Sequence, residues 1–214
     1  MTKIEHTDTG KILISSDLVC DFTVEYALDD NIGKGAFASV YKGIMNDEEI
    51  AIKIIDKKEL SKAGEDGNGG ENLHERAVAR EIALYKDWIP IHRNIVKFRR
   101  FHQDDENFYL VLEFCKGGDL QTKLNQEGPF SEGRAQLYFS QIMEAIGALH
   151  LNVTLDKKKN RPVQYPICYR DLKPENVMLM EDAETIKLID FNTAKVSEST
   201  IAETFCGSFG YADP

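Results

Sequence analysis

Tyr169-Arg170-Asp171-Leu172-Lys173-Pro174-Glu175-Asn176 places a carboxylic acid, a cation and an amide within one short polar stretch. Apolar residues bound it on both sides, Tyr165-Pro166-Ile167-Cys168 before and Val177-Met178-Leu179-Met180 after, so the pattern reads as a polar loop between buried segments. In such a loop Asp171 can take a proton from a hydroxyl nucleophile. Lys173 can neutralise charge on a transferring phosphoryl group, and Asn176 can hold a metal ion. A second apolar run, Ile186-Lys187-Leu188-Ile189, ends in Asp190 and Phe191. A strand that delivers a carboxylate at its end makes a natural site for a hard cation.

Together these two segments resemble the catalytic loop and the metal-binding motif of eukaryotic protein kinases. The resemblance implies an α+β, two-lobed fold with an antiparallel β-rich N-lobe and a helical C-lobe. It places the kinase domain at 26–214, with the N-lobe at 26–113, a hinge at 113–118 and a partial C-lobe at 119–214. Residues 1–25 mix short apolar runs such as Lys11-Ile12-Leu13-Ile14 with polar residues and read as an N-terminal extension or an extra edge strand.

Upstream, Tyr26–Ile32 and Ser39–Ile44 read as strands around the turn Gly33-Lys34-Gly35-Ala36-Phe37-Ala38. Glycines there let the backbone approach an anion, although Gly-x-Gly is also an ordinary hairpin turn. Gly33, Gly35 and Val40 match the kinase Gly-rich loop, with Ala38 in place of the third glycine. The β-branched run Ile50-Ala51-Ile52-Lys53-Ile54-Ile55 has a lysine in its middle, ordinarily an outward-facing charge. It resembles the strand whose lysine grips the phosphates. Ser61–Asn72 reads as a flexible loop, and Leu73–Trp88 as a helix with Val78, Ile82 and Tyr85 on one face. The resemblance makes Glu81 the acidic partner of Lys53, with Glu75 as a weaker substitute.

Ile95–Phe101 and Asn107–Glu113 read as two further strands. The segment Leu112 to Asp119 then resembles the hinge, with Leu112 as gatekeeper, Glu113 and Cys115 meeting adenine, and Asp119 meeting ribose or a substrate cation. The resemblance adds Ile32, Ala51 and Met178 to the nucleotide contacts. From Pro129 the spacing is helical. Ser131 is placed to cap, and Ala135, Tyr138, Ile142, Ala145, Ile146 and Leu149 recur on one face. Leu151–Ile167, with Lys157-Lys158-Lys159-Asn160-Arg161, reads as a solvated insertion rather than a docking patch.

Residue by residue, the resemblance implies ATP and Mg²⁺ as cofactors, Asp171 as base, Lys173 at the γ-phosphate, and Asn176 and Asp190 as metal ligands. Lys173 points to serine or threonine acceptors on protein substrates, and Tyr169 resembles the form common in the AGC group; a calcium/calmodulin-kinase-like assignment stays open beside it. Thr204 resembles a regulatory phosphosite for an upstream kinase, pairing with Arg170, while Ser208 would contact Asp171 and Lys173.

Three positions depart from the pattern. Ala38 and Asn192 each stand where the family has glycine, and Asn192 suits a backbone with positive φ. Asp213 stands for the alanine of the A-P-E region, and the chain stops before that region's glutamate, so a truncated C-lobe is expected. These departures support an alternative, a pseudokinase or truncated scaffold that binds nucleotide or partners without catalysis.

Composition bounds the rest. With 42% hydrophobic and 29% charged residues in 214, the chain has a globular composition. A net charge of -10 argues against nucleic acid or an anionic membrane as partner; it is compatible with a basic peptide, although solubilising surface charge is the plainer reading. The four cysteines are widely spread without a C-x-x-C pair, which fits reduced thiols. There is no apolar run of membrane-spanning length and no secretory signal. The expected location is the cytoplasm, with the nucleus as an option.

Overall fold

Ile50, Ile52 and Ile54 alternate with Ala51, Lys53 and Ile55, and this period of two sends the two sets to opposite faces of a sheet. The computed structural model of the chain describes residues 2–6, 11–16, 23–35, 38–63, 73–156 and 160–196. Its first strands are β1 (Thr2–His6), β2 (Lys11–Ser16), β3 (Thr23–Lys34), β4 (Ala38–Met45) and β5 (Glu48–Asp56). Helices α1 (Lys57–Ala63) and α2 (Leu73–Ala83) follow, and α2 runs into a π-helical turn at Leu84–Trp88. Next come β6 (Phe98–Gln103), β7 (Asn107–Glu113), β8 (Gly118–Asp119), α3 (Leu120–Glu127) and α4 (Glu132–His150). The remainder comprises β9 (Val153–Asp156), β10 (Arg161–Gln164), β11 (Ile167–Cys168), β12 (Val177–Leu179), β13 (Ile186–Leu188) and β14 (Lys195–Val196).

Two compact units form, Met1–Arg76 with Phe98–Phe114, and Ala77–Lys97 with Cys115–Pro214. The first is an antiparallel sheet in the order β1-β2-β3-β4-β5-β7-β6. On one face Ile50, Ile52, Met45, Tyr109 and Val111 form an apolar cluster, with Tyr41 and Ile54 packed against it. Burying one such aliphatic side chain stabilises the fold by roughly 1.5–3 kcal/mol. Residues 2–6 and 11–16 belong to this sheet: Ile12 pairs with Tyr26 and Ile4 with Ile14, so β1 and β2 extend it by two strands.

Two expectations are corrected in this unit. Residues 61–63 belong to α1 rather than to a loop: Asp56 Oδ1 accepts from the backbone N–H of Lys58 at 2.7 Å and Glu59 at 3.2 Å, which satisfies the first donors of the helix. Strand β6 starts at Phe98, not Ile95. Ile95 makes a parallel bridge to Leu188, and Val96 N–H donates to Leu188 O at 2.9 Å, so these β-branched residues belong to the second unit. In that same unit Tyr85 stands edge-on to Phe191 at 5.5 Å.

The second unit combines α3, α4 and short antiparallel pairs, with β13-β12-β8 as its small sheet. Ser131 caps α4, its Oγ accepting from Arg134 N–H at 3.4 Å. The buried stripe of α4 is Tyr138, Gln141, Ala145 and Leu149, so Ala135 is exposed and a polar Gln141 takes a core position. Within the basic insertion, β9 and β10 form a hairpin that pairs Val153 with Gln164; Lys157, Lys158 and Lys159 lie outside the described residues. Among the described residues no helix is long and apolar enough to cross a membrane.

Candidate active site

The stretch from Tyr169 to Asn176 is held between β11, which pairs with β14, and β12. Pro174 opens a single helical turn over Pro174–Asn176, and Lys173 before it is extended, as a residue preceding proline must be. The turn closes with Asn176 N–H donating to Lys173 O at 3.0 Å. It brings Asp171, Lys173 and Asn176 together. Asp171 is 7% exposed, and its Oδ2 is met by Lys173 Nζ at 3.0 Å and Asn176 Nδ2 at 2.8 Å. The same Nδ2 donates to the Asp171 carbonyl at 2.8 Å. With both amide hydrogens used, Asn176 Oδ1 is left without a donor among the described residues, an oxygen suited to a hard cation.

Asp190 is tied to this loop through its neighbours. Ile189 N–H donates to Asn176 O at 3.0 Å, and Tyr169 O–H donates to Ile189 O. Asp190 has φ of 54°, a left-handed backbone that costs an ordinary residue about 1 kcal/mol or more. The positive φ expected at Asn192 therefore falls two residues earlier. Asn192 instead donates from Nδ2 to Asp190 Oδ2 at 3.3 Å, steadying the carboxylate. Among the described residues no three His, Cys, Asp or Glu side chains cluster as a metal cage. An amide oxygen and one carboxylate fit Mg²⁺ better than a cage would, because that ion keeps waters and substrate phosphates in its shell.

Buried aromatics back the loop. Phe191 is fully buried and meets Tyr169 edge-on at 5.1 Å as well as Tyr85. Burial pushes the Tyr169 phenol well above its ordinary pKa, and the charges of Asp190 and Asp171 push it the same way. Tyr85 is raised by burial and then by Glu81 and Asp190. Both phenols stay neutral, and the Tyr169 O–H acts as a donor. Glu81, 2% exposed, lies inward on α2 rather than in solvent, in the same negative neighbourhood. The Glu75 side chain lies outside the described residues.

In the first unit, Gly33 pairs with Val40, Val40 with Lys53, and Ala51 with Leu112. Opposed residues of an antiparallel pair share a face, so these five positions line one face of the sheet, opposite the apolar cluster. Gly35 N–H donates to Ala38 O at 2.7 Å, closing the turn, and Ile32 before it is 50% exposed. Glu113 ends β7 opposite Ile50.

In the second unit Cys115 is buried, and Gly117 is pressed on β12 so closely that a Cβ would sit 2.5 Å from Met180 O and 2.6 Å from Leu179 Cβ. Asp119 pairs with Met178 across β8 and β12, and its carboxylate caps α3, accepting from Thr122 N–H at 2.8 Å and Thr122 Oγ1 at 2.7 Å. Arg170 has φ of 71°, and its Nη2 is buried with no hydrogen-bond partner among the described residues. Thr204, Ser208 and Asp213 lie outside the described residues. Gly117, Asn94 and Gln141 were missed as site supports. A glycine pair in the hinge was the available signal for the first, and a polar residue on an otherwise apolar helix face for the last.

Residues 26–214 match the family described as the protein kinase domain. The chain is 34% identical over 204 residues to the serine/threonine-protein kinase unc-51 of Caenorhabditis elegans, covering 89% of this chain and 21% of that protein. It is 33% identical to the human serine/threonine-protein kinase ULK1, covering 89% of this chain and 17% of the relative. To the calcium/calmodulin-dependent protein kinase type 1 of Macrobrachium nipponense it is 33% identical, covering 89% of this chain and 49% of the relative. The chain thus spans between about a sixth and a half of the length of these relatives.

Proposed function

The chain belongs to the eukaryotic protein kinase family, serine/threonine type, and from that membership we propose that it transfers the γ-phosphate of ATP to serine or threonine hydroxyls of protein substrates. The observation that carries the reading is the anchored Asp171 carboxylate. Lys173 and Asn176 both hold Oδ2, so a substrate hydroxyl meets a base whose orientation is already set. Lys173 Nζ supplies positive charge beside the hydroxyl's path, and this stabilises charge building on the phosphoryl oxygens. Asn176 Oδ1 and the Asp190 carboxylate are the groups that would hold Mg²⁺, which when bound neutralises charge on the phosphates.

On the sheet, Gly33, Gly35, Val40, Ala51, Lys53 and Leu112 would receive the nucleotide, with Ile32, Glu113, Cys115, Asp119 and Met178 completing its contacts. Glu81 would hold Lys53. Phosphate on Thr204, added by an upstream kinase, would pair with Arg170, whose Nη2 has no partner among the described residues. Ser208 would meet Asp171 and Lys173. We assign the catalytic domain to 26–214 and the place of action to the cytoplasm or nucleus. The net charge of -10 favours basic substrates.

The test offers labelled ATP, Mg²⁺ and two basic peptides that differ only in a serine or a tyrosine acceptor. Label on serine alone supports the proposal. Label on tyrosine overturns the acceptor class, and ATP binding without any transfer favours the pseudokinase reading.

A further inference from the structure

Strand β13 ends two residues before Asp190 and lies at the edge of its small sheet, in the order β13-β12-β8. Edge strands normally leave a row of backbone groups to water. Here the row is occupied by two side-chain amides and the turn that carries one of them. Asn94 Nδ2 donates to Ile186 O at 3.0 Å, and Ile186 N–H donates to Gln141 Oε1 at 3.2 Å. The amides join each other, Asn94 Nδ2 to Gln141 Oε1 at 2.7 Å. Leu188 N–H donates to Asn94 O at 2.8 Å, and Val96 N–H to Leu188 O at 2.9 Å. Gln141 Nε2 extends the set to Glu184 O at 2.8 Å. Asn94 is 0% exposed, Gln141 4%, and Ile186 and Leu188 0%.

This arrangement fixes the strand at a cost. Asn94 Oδ1 is buried and accepts no hydrogen bond among the described residues. A buried orphan acceptor is unfavourable, and it is offset by the partners the two amides give to the buried Ile186 N–H and O. What apolar side chains cannot do is set the height and register of β13 by directional bonds. Two residues beyond the last of those bonds the chain reaches Asp190, on a left-handed backbone and joined through Ile189 to Asn176.

We propose that Asn94 and Gln141 are positioning residues that hold β13 so that the Asp190 carboxylate meets a divalent cation beside a bound nucleotide. This deepens the reading of Asp190 as a metal ligand and rests on it. Removing the amides loosens the carboxylate and weakens the cation, by about tenfold or more on the scale seen for groups that orient metal ligands.

The test uses the whole chain and reads metal binding without turnover: Mn²⁺ is titrated in the presence of ADP and free Mn²⁺ is followed by its paramagnetic resonance. The variants are Gln141→Met, Asn94→Leu and the double replacement. The double variant removes the orphaned Asn94 Oδ1 but leaves the buried Ile186 N–H and O without their side-chain partners, so it is expected to melt below the parent chain; read at a temperature where it is folded, its Mn²⁺ midpoint rises about tenfold while its ADP affinity without metal is unchanged. A folded double variant with the parent's Mn²⁺ midpoint overturns the proposal. Should Asn94→Leu not fold, Gln141→Met alone decides, with a midpoint raised severalfold or unchanged. A parent chain that binds ADP but takes no Mn²⁺ overturns both this proposal and the metal role of Asp190. A parent that takes Mn²⁺ but transfers no phosphate overturns catalysis alone, and the variants still judge the clamp.

Discussion

His102 lies on β6 opposite Tyr109 and is 8% exposed. Burial, reinforced by the charge of Arg100, lowers its pKa from 6.5 to about 4. Between those values the unfolded chain binds a proton that the folded chain refuses, so stability falls as pH drops from about 6.5 to about 4 and levels off below. The ring retains some contact with solvent, which reduces the effect to about 1–2 kcal/mol. Denaturant melts of the chain at pH 7 and pH 4.5 are expected to differ by more than those of His102→Gln; equal differences would contradict the assignment. Gly117 shows another constraint at this scale. Its N–H donates to Leu179 O at 2.8 Å, and the space a Cβ would need is filled by β12. Its neighbour Gly118 is the one with positive φ, so the pair serves two different needs.

At the scale of elements, the parts most legible in the sequence are those whose period matches local burial. The alternation of Ile50, Ile52 and Ile54 with Ala51 and Lys53 reports β5 because one face of that strand packs on the apolar cluster. Residues that are buried by distant partners mislead: Ile95 and Val96 look like strand, yet their bonds go to Leu188. Helix α1 was hidden because its cap, Asp56, is also the last residue of β5. Asp171, Lys173, Asn176 and Asp190 could be picked out because they follow a spaced pattern. Asn94 and Gln141 could not, since the strand edge they serve lies 92 residues from Asn94.

Asp119 carries two readings of one carboxylate, and α3 separates them. Its oxygens cap the helix, so Asp119→Ala is expected to cost about 1 kcal/mol. Asp119→Asn, which keeps an acceptor for Thr122 N–H, is expected to keep most of that stability while weakening ATP binding. Thermal melts and ATP titrations of the two variants check this. Equal loss of stability in both would show that charge, not capping, is what matters there.

For the whole molecule, the sheet offers Gly33, Val40, Ala51, Lys53 and Leu112 on one face, and the second unit offers an anchored acid, Asp171, with Asn176 and Asp190 as the proposed cation ligands. Both sets belong to the α+β protein kinase fold. Ala38, Asn192 and Asp213 depart from the family pattern, but none removes a group that the proposed chemistry uses, and Asn192 supports the Asp190 carboxylate directly. The proposed catalysis therefore runs through Asp171. The most direct measurement is phosphate transfer from ATP and Mg²⁺ to a basic serine peptide, made side by side on the chain and on Asp171→Asn. That variant nearly conserves shape and removes the proposed base. A rate lower by at least about a hundredfold, with ATP binding retained, is the predicted result. A variant that transfers phosphate as fast as the parent chain would contradict the account.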